Sequence, residues 1–403
     1  MTQTAEIAFR NRETTLLSLV STAHFVSHVH IMTLPALMPL LAGYFGVSFL
    51  QIGAALTIFN IVSLVVQAPM GFLVDRMGAW KLLILALLLG CLSFGSLAVT
   101  ANYNWLLIAM ALAGIANGVY HPADYALLSF AIRHERIARA FSIHTFAGFL
   151  GNAAAPPILL TTGQFFGAGP AFAVAGLLSG LVALSLTFSN SPHSQKRTDP
   201  PQPASSESGR QIFSPAVFML TLLFVLLNLS ASGIQAFAVT ALVSSYNVDL
   251  PSANLVLTAF LLASAFGVLA GGILAERTHN HGLVSSAAMA ISGAILAALT
   301  FMIPGRTGLF LAMTVVGLLS GMITPSRDML VKAAAPRGAE GRVFGIVSTG
   351  FNIGGAISPV LFGWLVDHGK NQGVFGATAI FMILTASLTI GRTSKRPQVR
   401  QPE

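Results

Sequence analysis

A chain of 403 residues with 54% hydrophobic and only 8% charged side chains has too little polar surface to wrap a water-soluble core, since soluble domains carry about a quarter charged residues. The net charge of +8 does not point to nucleic acid, because the basic residues fall between apolar runs at alternate loops, as in a polytopic membrane protein. Cys91 is the only cysteine, which excludes an intrachain disulfide.

Apolar runs long enough to cross about 30 Å of hydrocarbon recur along the whole chain. The first follows Arg10 and Arg12 and continues through Leu41 without a small-residue cleavage pattern, so it reads as a retained span. Spans are predicted at 16–42, 51–73, 80–100, 104–130, 138–161 and 168–189, then at 214–243, 251–274, 282–303, 307–331, 341–366 and 372–392. With the N-terminus in the cytoplasm, eighteen lysines and arginines fall inside, among them Arg76, Lys81, Arg139, Arg277, Lys332 and Arg342. Only Arg306 and Lys370 fall outside. That asymmetry predicts a multi-pass protein of the cytoplasmic (inner) membrane with both termini cytoplasmic.

Residues 190–212 are rich in proline, serine and charge, and read as a cytoplasmic linker. The expected division is therefore a bundle of six helices at 1–189, the linker, and a second bundle at 213–403. The fold class is all-α integral membrane, with twelve transmembrane helices in two pseudo-symmetric six-helix bundles.

The halves repeat each other at an offset of about 200 residues. Gly71-Phe-Leu-Val-Asp75-Arg76 matches Gly272-Ile-Leu-Ala-Glu276-Arg277, and Pro122 matches Pro325. Arg139-Ala-Phe141-Ser-Ile143 matches Arg342-Val-Phe344-Gly-Ile346, and Gly151 and Pro156 match Gly354 and Pro359. A parallel duplication of this kind suits bundles that rock about a central site and alternate its access; a channel or scaffold has no need of it.

The stretch Gly71-Phe-Leu-Val-Asp75-Arg76-Met-Gly78-Ala-Trp-Lys81 resembles the loop between helices two and three of the major facilitator superfamily. The resemblance covers essentially the whole chain. Tyr120-His121-Pro122-Ala-Asp124, Arg139-Ala-Phe-Ser-Ile and Gly148-Phe-Leu-Gly151-Asn152 resemble the fosmidomycin-resistance exporters within it. The resemblance implies a secondary active transporter that exports a drug-like or amphipathic compound by ion-coupled antiport. Proton-coupled uptake of a small organic anion is the alternative, motivated by Arg327 and the central histidines. The basic residue of proton-coupled drug antiporters, four positions before a glycine of the fourth helix, is Met110 here. Gly151 and Pro156 are separated by Asn152 and three alanines.

Gating is expected at Asp75, Arg76, Glu276, Arg277, Arg139 and Arg342. The resemblance implies that Asp75 and Glu276 latch the cytoplasmic side, where the helix dipole favours an acid at the starts of the eleventh and fifth helices. Asp124 and Arg327 each lie two residues after the matched prolines, and a cytoplasmic gate ion pair across the central axis, made when the transporter opens outward and broken when it opens inward, is expected of them. Separate snorkelling and a pairing of Arg327 with Asp328 are the alternatives.

For the substrate or proton pathway the candidates are His24, His28, His30, His121, Asp124, Asn228, Gln235 and Arg327, with His144 weaker. His24 and His28 share a face; His30 points elsewhere. His28 and His30 lie about 18–21 Å into the first span at 1.5 Å per residue. His121 and Asp124, three apart, form a possible proton-responsive couple. Asn60, Gln67, Asn117 and Asn352 mark further polar faces. No metal is expected, because no acidic or cysteine ligand cluster accompanies the histidines along the chain. No cofactor is expected either. His24-x-x-x-His28 resembles part of a histidine box, but His121 and His144 stand apart in sequence and the duplication would serve no purpose in an oxidative enzyme. No phosphate-binding loop occurs. The chain reads as a non-enzyme whose partners are a small solute, protons and the bilayer, and as a monomer.

Overall fold

The computed structural model describes residues 3–189, 214–278, 280–302, 304–334 and 340–393. The linker expected at 190–212 lies outside the described residues. The helices are α1 (Gln3–Phe45), α2 (Phe49–Met77), α3 (Ala79–Leu97), α4 (Tyr103–Ala131), α5 (His134–Ala155), α6 (Thr161–Phe166) and α7 (Ala168–Phe188). After the linker come α8 (Pro215–Tyr246), α9 (Leu250–Arg277), α10 (His281–Phe301), α11 (Gly305–Ala334), α12 (Glu340–Asp367) and α13 (Gly373–Thr393). A π turn at Pro156–Leu160 joins α5 to α6, so they form one span. Among the described residues, twelve segments are then long and apolar enough to cross a bilayer.

Local chemistry sets the helix ends. Ser48 and Gln51 form a capping box at the start of α2. Asn102, Ser214 and Asp249 each accept from a backbone N–H in the first turn of the helix that follows. Gly78 and Gly167, at φ of 92° and 93°, turn the chain between α2 and α3 and between α6 and α7. The first helix outruns its predicted span of 16–42 because the polar residues before it are good helix formers. The fifth span outruns 138–161 because Pro156 and Pro157 are absorbed by the π turn and do not end the helix.

The two halves pack by one scheme. α1 lies on α5, α2 on α4, and α3 on α4 and α7; correspondingly α8 lies on α12, α9 on α11, and α10 on α11 and α13. The sequence duplication is thus a structural one. The bundles meet along α2 with α12, α5 with α9, and α1 with α8. Phe72, Phe188 and Phe301, each more than four-fifths exposed, stand on the outer surface, where hydrocarbon and not water is the natural neighbour.

Small residues permit the closest approaches. A Cβ on Gly148 would fall 2.7 Å from His24 Nε2, and one on Gly151 would collide with the carbonyl of Phe25 on α1. Gly350 and Gly354 of α12 stand in the same relation to Thr221 and Val225 of α8. These glycines of the fifth and eleventh spans thus serve close packing inside each bundle. Gly151→Ala is expected to cost about 1–3 kcal/mol by overpacking and to lower the Tm of the purified protein. Gly71→Ala, whose Cβ would meet nothing within 4 Å, leaves Tm unchanged.

Candidate functional site

Between the bundles lies a central cavity of about 100 Å³. Asn60 of α2 and Asn228, Ser232 and Gln235 of α8 supply its polar lining; Ile31, Met32, Leu56 and Phe59 supply apolar wall. Asn228 and Gln235 therefore face the axis, as their spacing on one helix face predicts. Ser232, missed in the sequence, donates to Asn228 Oδ1 at 2.8 Å and fixes that amide. The i,i+4 spacing of the two residues was the available signal. The volume is that of a few waters, below the roughly 300–1,000 Å³ of a drug-sized site. A larger ligand would have to spread the bundles.

The face bearing the N-terminus is called near and the opposite face far. On the far side four hydrogen bonds stitch the bundles together. Asp367, at the end of α12, accepts from the N–H groups of Phe49 and Leu50 at 2.9 and 2.7 Å, capping α2 from the other bundle. Thr57 Oγ1 donates to the Ala356 carbonyl at 2.6 Å, and Asn254 Nδ2 to the Pro156 carbonyl at 3.3 Å. The α2–α12 seam is tight because both partners are glycine-lined: a Cβ on Gly53 would strike the Pro359 carbonyl, and one on Gly363 would meet that of Phe49 at 2.7 Å. Beside this seal Asp249 pairs with Arg306 at 2.7 Å; hydrogen bonds from the Ser252 side chain and backbone hold its carboxyl below the usual range. Asp367 carried no sequence signal, since a cap supplied in trans leaves no local spacing to read.

A second assembly lies inside the first bundle. Asp124 of α4 is wholly buried, with Oδ2 3.4 Å from His24 Nδ1 of α1 and 3.5 Å from His144 Nε2 of α5. His24 stacks on His144 at 3.9 Å between centroids, with His28 at 4.6 Å and His121 at 5.3 Å. His28 Nδ1 lies 3.2 Å from Asn152 Oδ1. The histidines that stood apart in sequence are thus not isolated, and Asp124 addresses His24 and His144 more closely than the predicted His121.

In this structure, sealed on its far side, Asp124 and Arg327 do not pair; the gating pair expected of them belongs to the opposite state. Arg327 is engaged by the adjacent Asp328, with Nε and Nη2 both at 2.9 Å, and lies against the rings of Phe224 and Phe351. A neighbouring carboxylate on the same turn meets the guanidinium at less entropic cost than one across the axis. His30 is turned away from the central cavity: its Nε2 lies 3.1 Å from the Ala175 carbonyl and its ring packs on Phe94, which wedges it between α3 and α7. Helix geometry turns it roughly 160° from His28.

Arg76, Arg139 and Arg277 are exposed. The side chains of Asp75, Glu276 and Arg342 lie outside the described residues. Glu13, unremarked in the sequence, is buried near the start of α1; it accepts from the Arg133 N–H at 2.9 Å and pairs with Arg136 at 2.8 Å. Its signal was an acid just before the first predicted span.

A model of the Major Facilitator Superfamily matches residues 20–239 and 221–403. The chain belongs to the major facilitator superfamily. The "Fosmidomycin resistance protein" of Escherichia coli is 24% identical over 385 residues, covering 93% of this chain and 92% of that protein. The "Multi-drug resistance efflux pump PmrA" of Streptococcus pneumoniae is 23% identical over 372 residues, covering 89% and 90%. Among solved structures, a bacterial homolog of the human lysosomal transporter Spinster, inward-facing and unoccupied, superposes with a TM-score of 0.74 at 14% identity, covering 96% and 97%. The protein is therefore a multi-pass membrane transporter of this superfamily and not an enzyme.

Because Asp124 already faces His24 and His144, the charge-swapped double variant Asp124→Arg with Arg327→Asp is expected to transport no better than either single reversal, as a transport assay on the three variants would show. Asp367→Ala removes a cap worth about 1 kcal/mol, roughly fivefold in equilibrium. It should raise labelling of Leu56→Cys, in a Cys91→Ser background, by an impermeant maleimide added at the far face.

Proposed function

We propose that this transporter exports a drug-like or amphipathic compound from the cytoplasm by alternating access, coupled to an ion gradient. The observation that carries the reading is the central cavity, shared by α1 and α2 of one bundle and α8 and α12 of the other, in which three amides and a hydroxyl are set in a mostly aliphatic and aromatic wall. Such a wall suits a solute that is itself part apolar and part polar. The distribution of basic residues supports a near face in the cytoplasm. The sealed far side is then the outer gate, and the structure is a state closed to the outside. Transport requires that seal to part while the near side closes. We assign that second closure to Asp75 and Glu276, with Arg76, Arg277, Arg139 and Arg342, because an acid at a cytoplasmic helix end is favoured by the dipole of a helix that starts beside it. The full-length similarity to two drug-resistance proteins supports export. Uptake of an organic anion has less support, since the cation that motivated it, Arg327, is already neutralised by Asp328.

Expression in an efflux-deficient bacterial host tests the reading. The chain should raise the inhibitory concentration of at least one member of a panel of amphipathic compounds and fosmidomycin several-fold. Gln235→Leu or Asn228→Leu should reduce or redirect that protection while membrane levels are unchanged. If no compound is affected, and a labelled organic acid instead accumulates in the cells, the direction is reversed. Asp75→Asn is expected to lower transport with normal insertion; wild-type turnover by that variant would remove the latch.

A further inference from the structure

The five ionisable side chains gathered inside the first bundle are more than the transport reading requires. Asp124 is 0% exposed, and neither of its oxygens receives a hydrogen bond; the ring nitrogen His24 Nδ1 and both of His144 are equally without partners. The titratable groups that surround the carboxylate are His24 and His28 from α1, Tyr120, His121 and Tyr125 from α4, and His144 from α5. No lysine or arginine is among them, and Arg327 is held by Asp328. With neutral imidazoles and an ionised Asp124 the cluster would carry one uncompensated negative charge in a dry interior, the most costly of its charge states. One added proton, on the Asp124 carboxyl that His24 and His144 face, makes the cluster neutral.

We infer that His24, Asp124 and His144 together form a site that binds and releases a single proton during the cycle of this transporter. The cluster sits where such an event can move helices. Its three members come from three helices, α1, α4 and α5. The first continues through Ile31 and Met32 into the wall of the central cavity. The third carries Phe146, two residues beyond His144, against Phe266 of the other bundle at 6.2 Å between centroids. A proton taken from water allows the three helices to close over a neutral core. Its return to water leaves an anion that only hydration or separation of those helices can stabilise. Tyr125, 44% exposed and 6.0 Å from the His144 ring, stands at the border between the cluster and its surroundings.

A metal ion fits the same residues less well. An imidazole binds metal along the lone pair in its ring plane, at about 2.0–2.1 Å for zinc. The His24 and His144 rings are stacked at 23° between planes, so their lone pairs run side by side and do not converge.

The coupling role rests on the transport reading, but the proton site does not, and its test needs no substrate. The full chain, reconstituted in lipid with carbon-13 carboxyl-labelled aspartate, is titrated by infrared difference spectroscopy through the range in which imidazole ionises. Expected is one isotope-sensitive C=O stretch of a protonated carboxyl that disappears with rising pH, is absent in Asp124→Asn, and persists in Asp124→Glu without the isotope shift. His24→Gln and His144→Gln should move its midpoint, whereas His30→Gln should not. The wild-type isotope signal keeps the test decisive if Asp124→Asn fails to fold. An Asp124 that stays protonated, or stays ionised, across the whole range overturns the inference. So does a midpoint indifferent to both histidines, and so does zinc at micromolar concentration raising the Tm of the wild type but not of His24→Gln. A chain that titrates as expected yet moves no panel compound would sink the export reading and leave the proton site standing.

Discussion

A polar side chain inside a bilayer has no water to turn to, so it must find its partner on another helix or in a cavity. With only 8% of residues charged, the few polar groups within spans acquire structural meaning from where they are forced to meet. Amides that cannot face lipid converge on the axis between the bundles. Imidazoles and a carboxylate that cannot face lipid converge inside the first bundle. The backbone obeys the same rule, and the exposed N–H groups at the start of α2 are capped by Asp367 from the other half of the molecule. That cap, unlike a helix's own, can be made and broken as the bundles move.

The duplication gives this constraint its symmetry. Corresponding helices pack alike in the two halves, and the bundles touch through corresponding elements, α2 on α12 and α5 on α9. The chemistry on this frame is not symmetric. Among the described residues, His24, Asp124 and His144 have no counterpart cluster in the second bundle. The residue matching Asp124 is Arg327, which is satisfied locally by Asp328. Repeated architecture with unlike side chains allows one bundle to hold a charge-sensitive group while the other offers a wall for it to move against.

Glycine enters the mechanism through distance alone. Gly148 and Gly151 let α5 approach α1 so closely that His24 and His28 lie against its backbone. Gly53 and Gly363 bring α2 and α12 into backbone contact on the far side. The first pair sets the geometry of the histidine cluster and the second the tightness of the outer seal. Both are packed contacts with few intermediate arrangements, which favours switching between discrete states over gradual deformation.

Much was legible in the one-dimensional chain because it follows from local rules. Span number comes from apolar length against bilayer thickness, and helix starts from capping residues. The repeat comes from matching segments, and the polar face of α8 from the seven-residue spacing of Asn228 and Gln235. Tertiary structure decided who meets whom. Asp124 was legible as a buried acid, but its neighbours lie 100 residues before it and 20 after, and no helical periodicity relates them. The same packing turned His30 away from the central cavity onto Phe94 and Ala175, and gave Arg327 to Asp328. Sequence constrains what is near along a helix; only the fold, through close approach of helices distant in the chain, sets which side chains share a charge.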